Sequence, residues 1–235
     1  MAENKKRTRE ADEQTKAQLA ALGYDGELQH ERPLLICDVD EVVLHLVTPF
    51  VEVIRERGFT LKSESFKLTG NVFCAQTGRE ATQYEVWEGL TQLFEEQAQR
   101  QQLIEGAVEG LNELSEKIDV IFLTNMPHQF GDIRRRHLSE NGLTFPLVTN
   151  TGSKVPAIEI MARNASNSIG FIDDTPRNLT DVYAGAPMVN LFHFMANDNF
   201  RELAGEIEGS HFSTGDWDLA SREIHRVLVE NNSGT

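Results

Sequence analysis

Short apolar runs alternate with amphipathic stretches over most of the 235-residue chain. The first run, Pro33-Leu34-Leu35-Ile36-Cys37, reads as a buried strand that ends in Asp38 and Asp40. Val108, Leu111 and Leu114 form a helical stripe, and Val120-Ile121-Phe122-Leu123 is a strand that stops at Thr124-Asn125. A polar helix is predicted from about Gln129 to Asn141, with Gly142 as its stop signal. Pro146-Leu147-Val148 is the next strand, and Ser153 caps a helix from Lys154 to Arg163. A strand over Ser168–Ile172 ends in Asp173-Asp174, a helix runs to Tyr183, and a strand covers Met188–Phe192. The last helix, from about Asp216 to Glu230, sets Trp217, Ala220, Ile224 and Val227 on one face. Strands alternating with helices predict an α/β fold whose mainly parallel sheet is covered on both faces. Ligands of such sheets sit beyond the carboxyl ends of the strands.

Two stretches break this rhythm. Residues 1–32 form a charged extension, with a helix expected over Ala11–Leu22 and fraying at its start. Residues 46–104 have a texture of their own, inserted between two parts of a core made of 33–45 and 105–235. Within the insert, Lys62–Ala75 reads as extended, with Phe66, Leu68 and Val72 in period two and Thr69-Gly70-Asn71 as a turn signal. Arg79–Leu103 reads as a helix carrying Tyr84, Trp87, Leu90 and Phe94 at spacings of three and four.

A formal charge of −15 argues against a surface built to coat a nucleic-acid polymer or an anionic membrane. It leaves room for a small anionic substrate, because a bound metal reverses the sign locally. Two cysteines, Cys37 and Cys74, fit reduced thiols, and the polar start Met1-Ala2-Glu3-Asn4-Lys5-Lys6 has no apolar core of a signal peptide. No run approaches the ~20 apolar residues of a membrane span. The expectation is a cytoplasmic protein.

Asp38 and Asp40 stand at i and i+2, on the same side of a strand. Two such charges at ~4 Å repel by roughly 4 kcal/mol at an effective dielectric of 20, and a divalent cation or a shared proton offsets that. Thr124-Asn125, Lys154 and Asp173-Asp174 lie at the same predicted edge or at a helix start. Each cluster alone also fits a structural role, as a helix cap, a turn former or a solvated lysine. Asp173-Asp174 could cap a helix that has Pro176 in its first turn. The four together at one edge favour a site. Arg134-Arg135-Arg136 reads as a solvated helix face, and His45, His128 and His193 show no ligand spacing.

The run Leu35-Ile36-Cys37-Asp38-Val39-Asp40-Glu41-Val42 resembles the first motif of the haloacid-dehalogenase-like superfamily, Asp-x-Asp-x-Thr/Val. Leu123-Thr124-Asn125 resembles the second motif, Lys154 the third, and Phe171-Ile172-Asp173-Asp174 the fourth, in the family's order. The resemblance spans about 33–192. It implies a Rossmann-like core, a small cap built from 46–104, and a Mg²⁺-dependent phosphatase acting on a small phosphorylated metabolite. Asp38 would be the nucleophile, and Asp40 the general acid and base. Thr124, the Asn125 backbone N–H and Lys154 would hold phosphoryl oxygens. Mg²⁺ would join Asp38, the Asp40 carbonyl and the Asp173-Asp174 pair, with Asp174 preferred as the direct ligand and Asn178 orienting a metal-bound water. Asp40 favours phosphoryl transfer over dehalogenation. A phosphomutase or phosphotransferase and a non-catalytic binding protein are the alternatives. Ile172-Asp173-Asp174-Thr175-Pro176-Arg177 is similar to the deoxyribonucleotidase branch and points to a nucleotide, with a sugar phosphate the other substrate in view. Phe66, Lys67, Asn71, Phe73 and Arg79 are candidate cap contacts, although Phe66 and Phe73 also suit the cap's own core.

Overall fold

The computed structural model describes residues 10–24, 31–62, 68–163, 165 and 167–231. Helix α1 (Glu13–Ala21) precedes strand β1 (Leu34–Cys37). The insert holds α2 (Val47–Glu56), β2 (Phe59–Leu61), β3 (Val72–Cys74), α3 (Gln83–Glu95) and α4 (Gln97–Arg100). Regular alternation follows, with α5 (Ala107–Ser115), β4 (Asp119–Asn125), α6 (Gly131–Glu140), β5 (Leu147–Asn150), α7 (Val155–Arg163), β6 (Ile169–Asp173), α8 (Pro176–Gly185) and β7 (Val189–Phe194). The order closes with α9 (Asp198–Ala204), β8 (Ser210–Thr214) and α10 (Trp217–His225), which runs on into a wider turn over Arg226–Glu230.

Six strands make one parallel sheet in the order β5-β4-β1-β6-β7-β8. All four β1 residues are buried, as a central strand covered on both faces requires. Leu35 and Cys37 face a layer with Leu111, Phe122, Phe192 and Trp217. Leu34 and Ile36 face the other layer, with Leu19, Ile158, Phe171 and Leu179. The fold is therefore the α/β sandwich with a parallel sheet covered on both faces that the alternation predicts, and the Rossmann-like core that the resemblance implies. The chain leaves β1 toward β4 and β5, then returns to β1's other side as β6. The crevice at the carboxyl end of β1 is that switch point.

Within the insert, β2 and β3 pair as an antiparallel hairpin outside the main sheet. Phe50, Val53, Ile54, Val72, Val86 and Leu93 form a separate apolar cluster there. A Cβ on Gly89 would stand 3.1 Å from Ile54 Cγ2, so glycine lets α3 lie close on α2. A capping box starts α3, with Thr82 N donating to Glu85 Oε2 at 2.7 Å and Glu85 N to Thr82 Oγ1 at 3.2 Å. Where the chain leaves and rejoins the sheet, Ile104 N donates to Val43 O and His45 N to Gln102 O, both at 2.9 Å.

The structure differs from the sequence reading in three places. Of the stretch over 62–75, Thr69-Gly70-Asn71 turns and Val72–Cys74 is extended as β3, but its partner β2 starts before the stretch, at Phe59; Phe66 and Lys67 lie outside the described residues. The helix over 79–103 starts later and breaks at Glu96, after which Gln97 turns inward and donates from Nε2 to Phe94 O at 2.7 Å. The sheet also gains β8, an edge strand with only Phe212 as an apolar residue.

Helix α1 packs on the core through Leu19, which is fully buried. Its cap, Asp12, accepts from Gln14 N (3.0 Å) and Thr15 N (2.9 Å), and also from Thr151 Oγ1 (2.9 Å) in the loop after β5. Partial burial acts to raise the Asp12 pKa. The bonds from Thr15 and Thr151 and the nearby His128 outweigh it and hold the carboxyl well below the usual 3.8. Asp12→Ala is expected to cost about 1–2 kcal/mol in denaturant titration at neutral pH. A depressed folded pKa contributes stability above the unfolded value and loses it as pH falls through the folded one, so the gap between wild type and variant should begin to narrow below about pH 4 and close only as pH passes the depressed value. A gap that does not narrow at all between about pH 5 and about pH 2 would contradict the role of the ionised carboxylate.

Candidate active site

Strand ends and helix starts deliver the predicted residues to one place. Asp38 follows β1, Asn125 ends β4, Asp173 ends β6, and Lys154 stands just before α7. Lys154 Nζ lies 2.6 Å from Asp38 Oδ1 and 2.6 Å from Asp173 Oδ2. All three side chains are buried. Asp173 is further held by Thr175 N (2.9 Å) and by Asn178 Nδ2 (2.9 and 3.2 Å). Asn178 thus orients Asp173. The half-buried Asp174 receives a bond from Thr175 Oγ1 at 3.1 Å.

Burial pushes the Asp38 pKa up to about 7; Lys154 opposes this, while Asp173 and Asp40 add to it. Burial, then the charges of Asp173 and Asp38, push Asp174 well above the ordinary carboxylate range. Desolvation would lower the Lys154 pKa, but Asp173 and Asp38 together reverse it and keep the ammonium protonated. Oxygens of Asp38, Asp173 and Asp174 can all lie within 4.8 Å of one another. With all three carboxyls ionised, one lysine would offset one charge of three and leave an all-oxygen donor set with excess negative charge. That chemistry fits a hard divalent cation such as Mg²⁺.

The Asp40 carboxyl lines the same cavity but stands outside this clasp. Its Oδ1 accepts from Gln101 Nε2 at 2.8 Å and lies 3.1 Å from Arg134 Nη1. The Thr124 hydroxyl approaches Asp40 Oδ2 at 3.5 Å. Here the reading of Arg134 as part of a solvated face is corrected. Arg135 and Arg136 are exposed, but Arg134 is fully buried between α6 and α4, bonded to Gln97 Oε1 and to Gln101 Oε1 (2.9 Å). A carboxylate across the interface gives the buried guanidinium its countercharge. Gln101 carried no sequence signal. Arg134 shared the spacing of four with Phe130 and Leu138, both buried.

The turn after β1 is tightly fixed. Glu41 adopts a left-handed backbone (φ 61°), and its Oε1 accepts from Leu46 N (2.7 Å) and Val47 N (2.6 Å) at the start of α2. Trp217 Nε1 donates to Val42 O at 2.8 Å. Asn125 Nδ2 donates to Gly152 O at 2.9 Å and ties the end of β4 to the loop that carries Lys154.

A cavity of about 670 Å³ opens over Asp38, Asp40, Asn125, Lys154 and Asp174. Thr124 lies behind it, fully buried. Of the insert residues singled out in the sequence, Asn71, Phe73 and Arg79 do not line it. Arg79 instead pairs with Glu85 at 2.8 Å. His193 is a core histidine, with Nε2 2.9 Å from Asp174 O and Nδ1 2.6 Å from Ser213 Oγ. Burial lowers its pKa.

No family model matches the sequence, and no curated protein matches it. Solved structures do. A haloacid dehalogenase-like hydrolase of Streptococcus pneumoniae aligns with a TM-score of 0.58 over 82% of this chain and 98% of that one, at 11% identity. The chain has the haloacid-dehalogenase-like fold. A predicted phosphoglycolate phosphatase of Haemophilus somnus gives 0.56 over 81% and 97% at 13% identity. A haloacid-dehalogenase-family hydrolase of Deinococcus radiodurans, whose structure holds phosphate and sodium, gives 0.50 over 88% and 98% at 16% identity. In this haloacid-dehalogenase-like fold, the carboxylates and the lysine come from loops at one edge of the parallel sheet. No helix among the described residues is long and apolar enough to cross a membrane.

Proposed function

We propose that this chain is a Mg²⁺-dependent phosphatase that hydrolyses a small phosphate monoester through an aspartyl-phosphate on Asp38. The observation that carries this reading is the Asp38–Lys154–Asp173 clasp at the floor of the cavity, with Asp174 beside it. Asp38, Asp173 and Asp174 would hold the cation, together with the Asp40 carbonyl. When bound, the cation would neutralise charge on the phosphoryl oxygens. Asp174 is the better direct ligand, because both oxygens of Asp173 are already engaged by Lys154, Thr175 and Asn178.

An oxygen of Asp38 attacks phosphorus, and the ester P–O bond breaks. Asp40, held by Gln101 and Arg134, gives its proton to the departing alkoxide. A water then attacks the phosphorus of the acyl phosphate and loses a proton to Asp40. The P–O bond to Asp38 breaks, and the carboxylate is regenerated. Lys154 holds the nucleophile in line and meets the phosphoryl oxygens, as does Asn125 on the cavity wall, whereas the buried Thr124 acts through its approach to Asp40. The insert over 46–104 acts as a cap that excludes bulk water from the acyl phosphate.

Chelation is the direct test of the metal. EDTA is expected to lower hydrolysis of p-nitrophenyl phosphate by at least about a hundredfold, and added Mg²⁺ to restore it. Turnover indifferent to EDTA would remove the metal from the reading.

A further inference from the structure

The cavity has two unlike sides. The strand ends supply carboxylates, amides and Lys154, whereas Leu46, Leu68, Trp87, Leu90 and Phe94 of residues 46–104, with Met126 just after β4, supply an apolar wall. Trp87, Leu90 and Phe94 share one face of α3 at spacings of three and four. Phe94 and Met126 are buried, and the Phe94 ring rests on Phe130 with centroids 5.8 Å apart. That packing builds the wall before any ligand arrives. Trp87, by contrast, is 49% exposed at the rim. Among the described residues, Lys154 is the sole cation lining the cavity, and Asp38 and Asp173 already claim it.

On the phosphatase reading above, we propose that the released alcohol is apolar and ring-bearing, its ring laid against Trp87 and Phe94, rather than a polyol or a carboxylate. Apolar area transferred onto this wall is gained from water at each carbon. A second carboxylate or a row of hydroxyls set against the same side chains would be desolvated without partners. Specificity then comes from rejection of polar alcohols as much as from attraction to the ring.

The test uses primary alkyl monoesters of similar leaving-group basicity, so that chemistry cancels and fit remains. Ethyl phosphate, 2-phenylethyl phosphate, glycerol 1-phosphate and 2-carboxyethyl phosphate serve, assayed on the full chain with Mg²⁺. We expect kcat/KM for 2-phenylethyl phosphate to exceed that for ethyl phosphate about thirtyfold, the scale of burying one ring-sized side chain. The glycerol and carboxylate esters should fall at or below ethyl phosphate. Trp87→Ala should reduce the phenylethyl-to-ethyl ratio about fivefold, and Trp87→Phe should restore most of it. A ratio near one, or a preference for the glycerol or carboxylate ester, overturns the inference and leaves the phosphatase reading standing. A high ratio that Trp87→Ala leaves unchanged overturns the placement of the ring. Hydrolysis of none of the esters overturns the phosphatase reading and this inference with it.

Discussion

Asp38→Asn is expected to lower phosphate-ester turnover by about 10⁴-fold or more while the protein stays folded. The change keeps the shape of the side chain and removes its nucleophilic oxygen pair. It also removes one of three crowded acidic groups, so the clasp loses repulsion along with the Lys154 contact at 2.6 Å. Lys154 keeps Asp173 as its countercharge at 2.6 Å, so no buried cation is left unpaired. Two measurements separate chemistry from folding. The melting temperature should move by a few degrees at most, and intact-mass analysis during turnover should show a phosphorylated fraction in wild type that is absent from the variant. Undiminished turnover in a folded Asp38→Asn protein would remove Asp38 as the nucleophile and leave the clasp a structural ion pair.

The sequence exposed the sheet where burial is complete and hid it where burial is partial. β1, β4 and β6 are covered on both faces, so each reads as an unbroken apolar run with a polar stop. Those stops are Asp38, Asn125 and Asp173, which is why much of the candidate site was visible as residues at strand ends. β8 alternates intermediate and exposed residues around one phenylalanine, a pattern shared with loops, and it gave no signal. The support around Asp40 was hidden for another reason. Arg134 sits in a run of three arginines whose other two are exposed, and only the approach of α4 with Gln97 and Gln101 makes its position an interior one. Helix periodicity tells which face is buried. It does not tell that a charge across the interface makes arginine an acceptable occupant of that face. The cavity wall falls between these cases. The spacing of Trp87, Leu90 and Phe94 was legible as a helix face, but that the face looks toward the carboxylates depends on how α3 packs on α2 across Gly89.

Lys154→Met carries the second large effect, and here stability and activity fall together. The ammonium is 2% exposed and lies between two buried carboxylates, so removing it strands both. Breaking a buried pair in this way costs about 3–5 kcal/mol. Urea titration in chelator, where no cation can compensate, should show that loss as a lower midpoint with an unchanged slope. Methionine fills similar volume, so a cavity contributes little to the change. Two contributions remain inside the loss, one from Asp38 and one from Asp173, and a double-mutant cycle separates them. In an Asp38→Asn background the same lysine substitution strands one carboxylate instead of two. Its cost should be smaller by about 1–3 kcal/mol, the coupling typical of groups in direct contact. Additive costs would mean that Asp38 and Lys154 do not neutralise each other in the folded protein, whatever their separation. Non-additive costs would make the clasp an electrostatic unit in which Lys154 keeps Asp38 ionised, the state a carboxylate nucleophile requires.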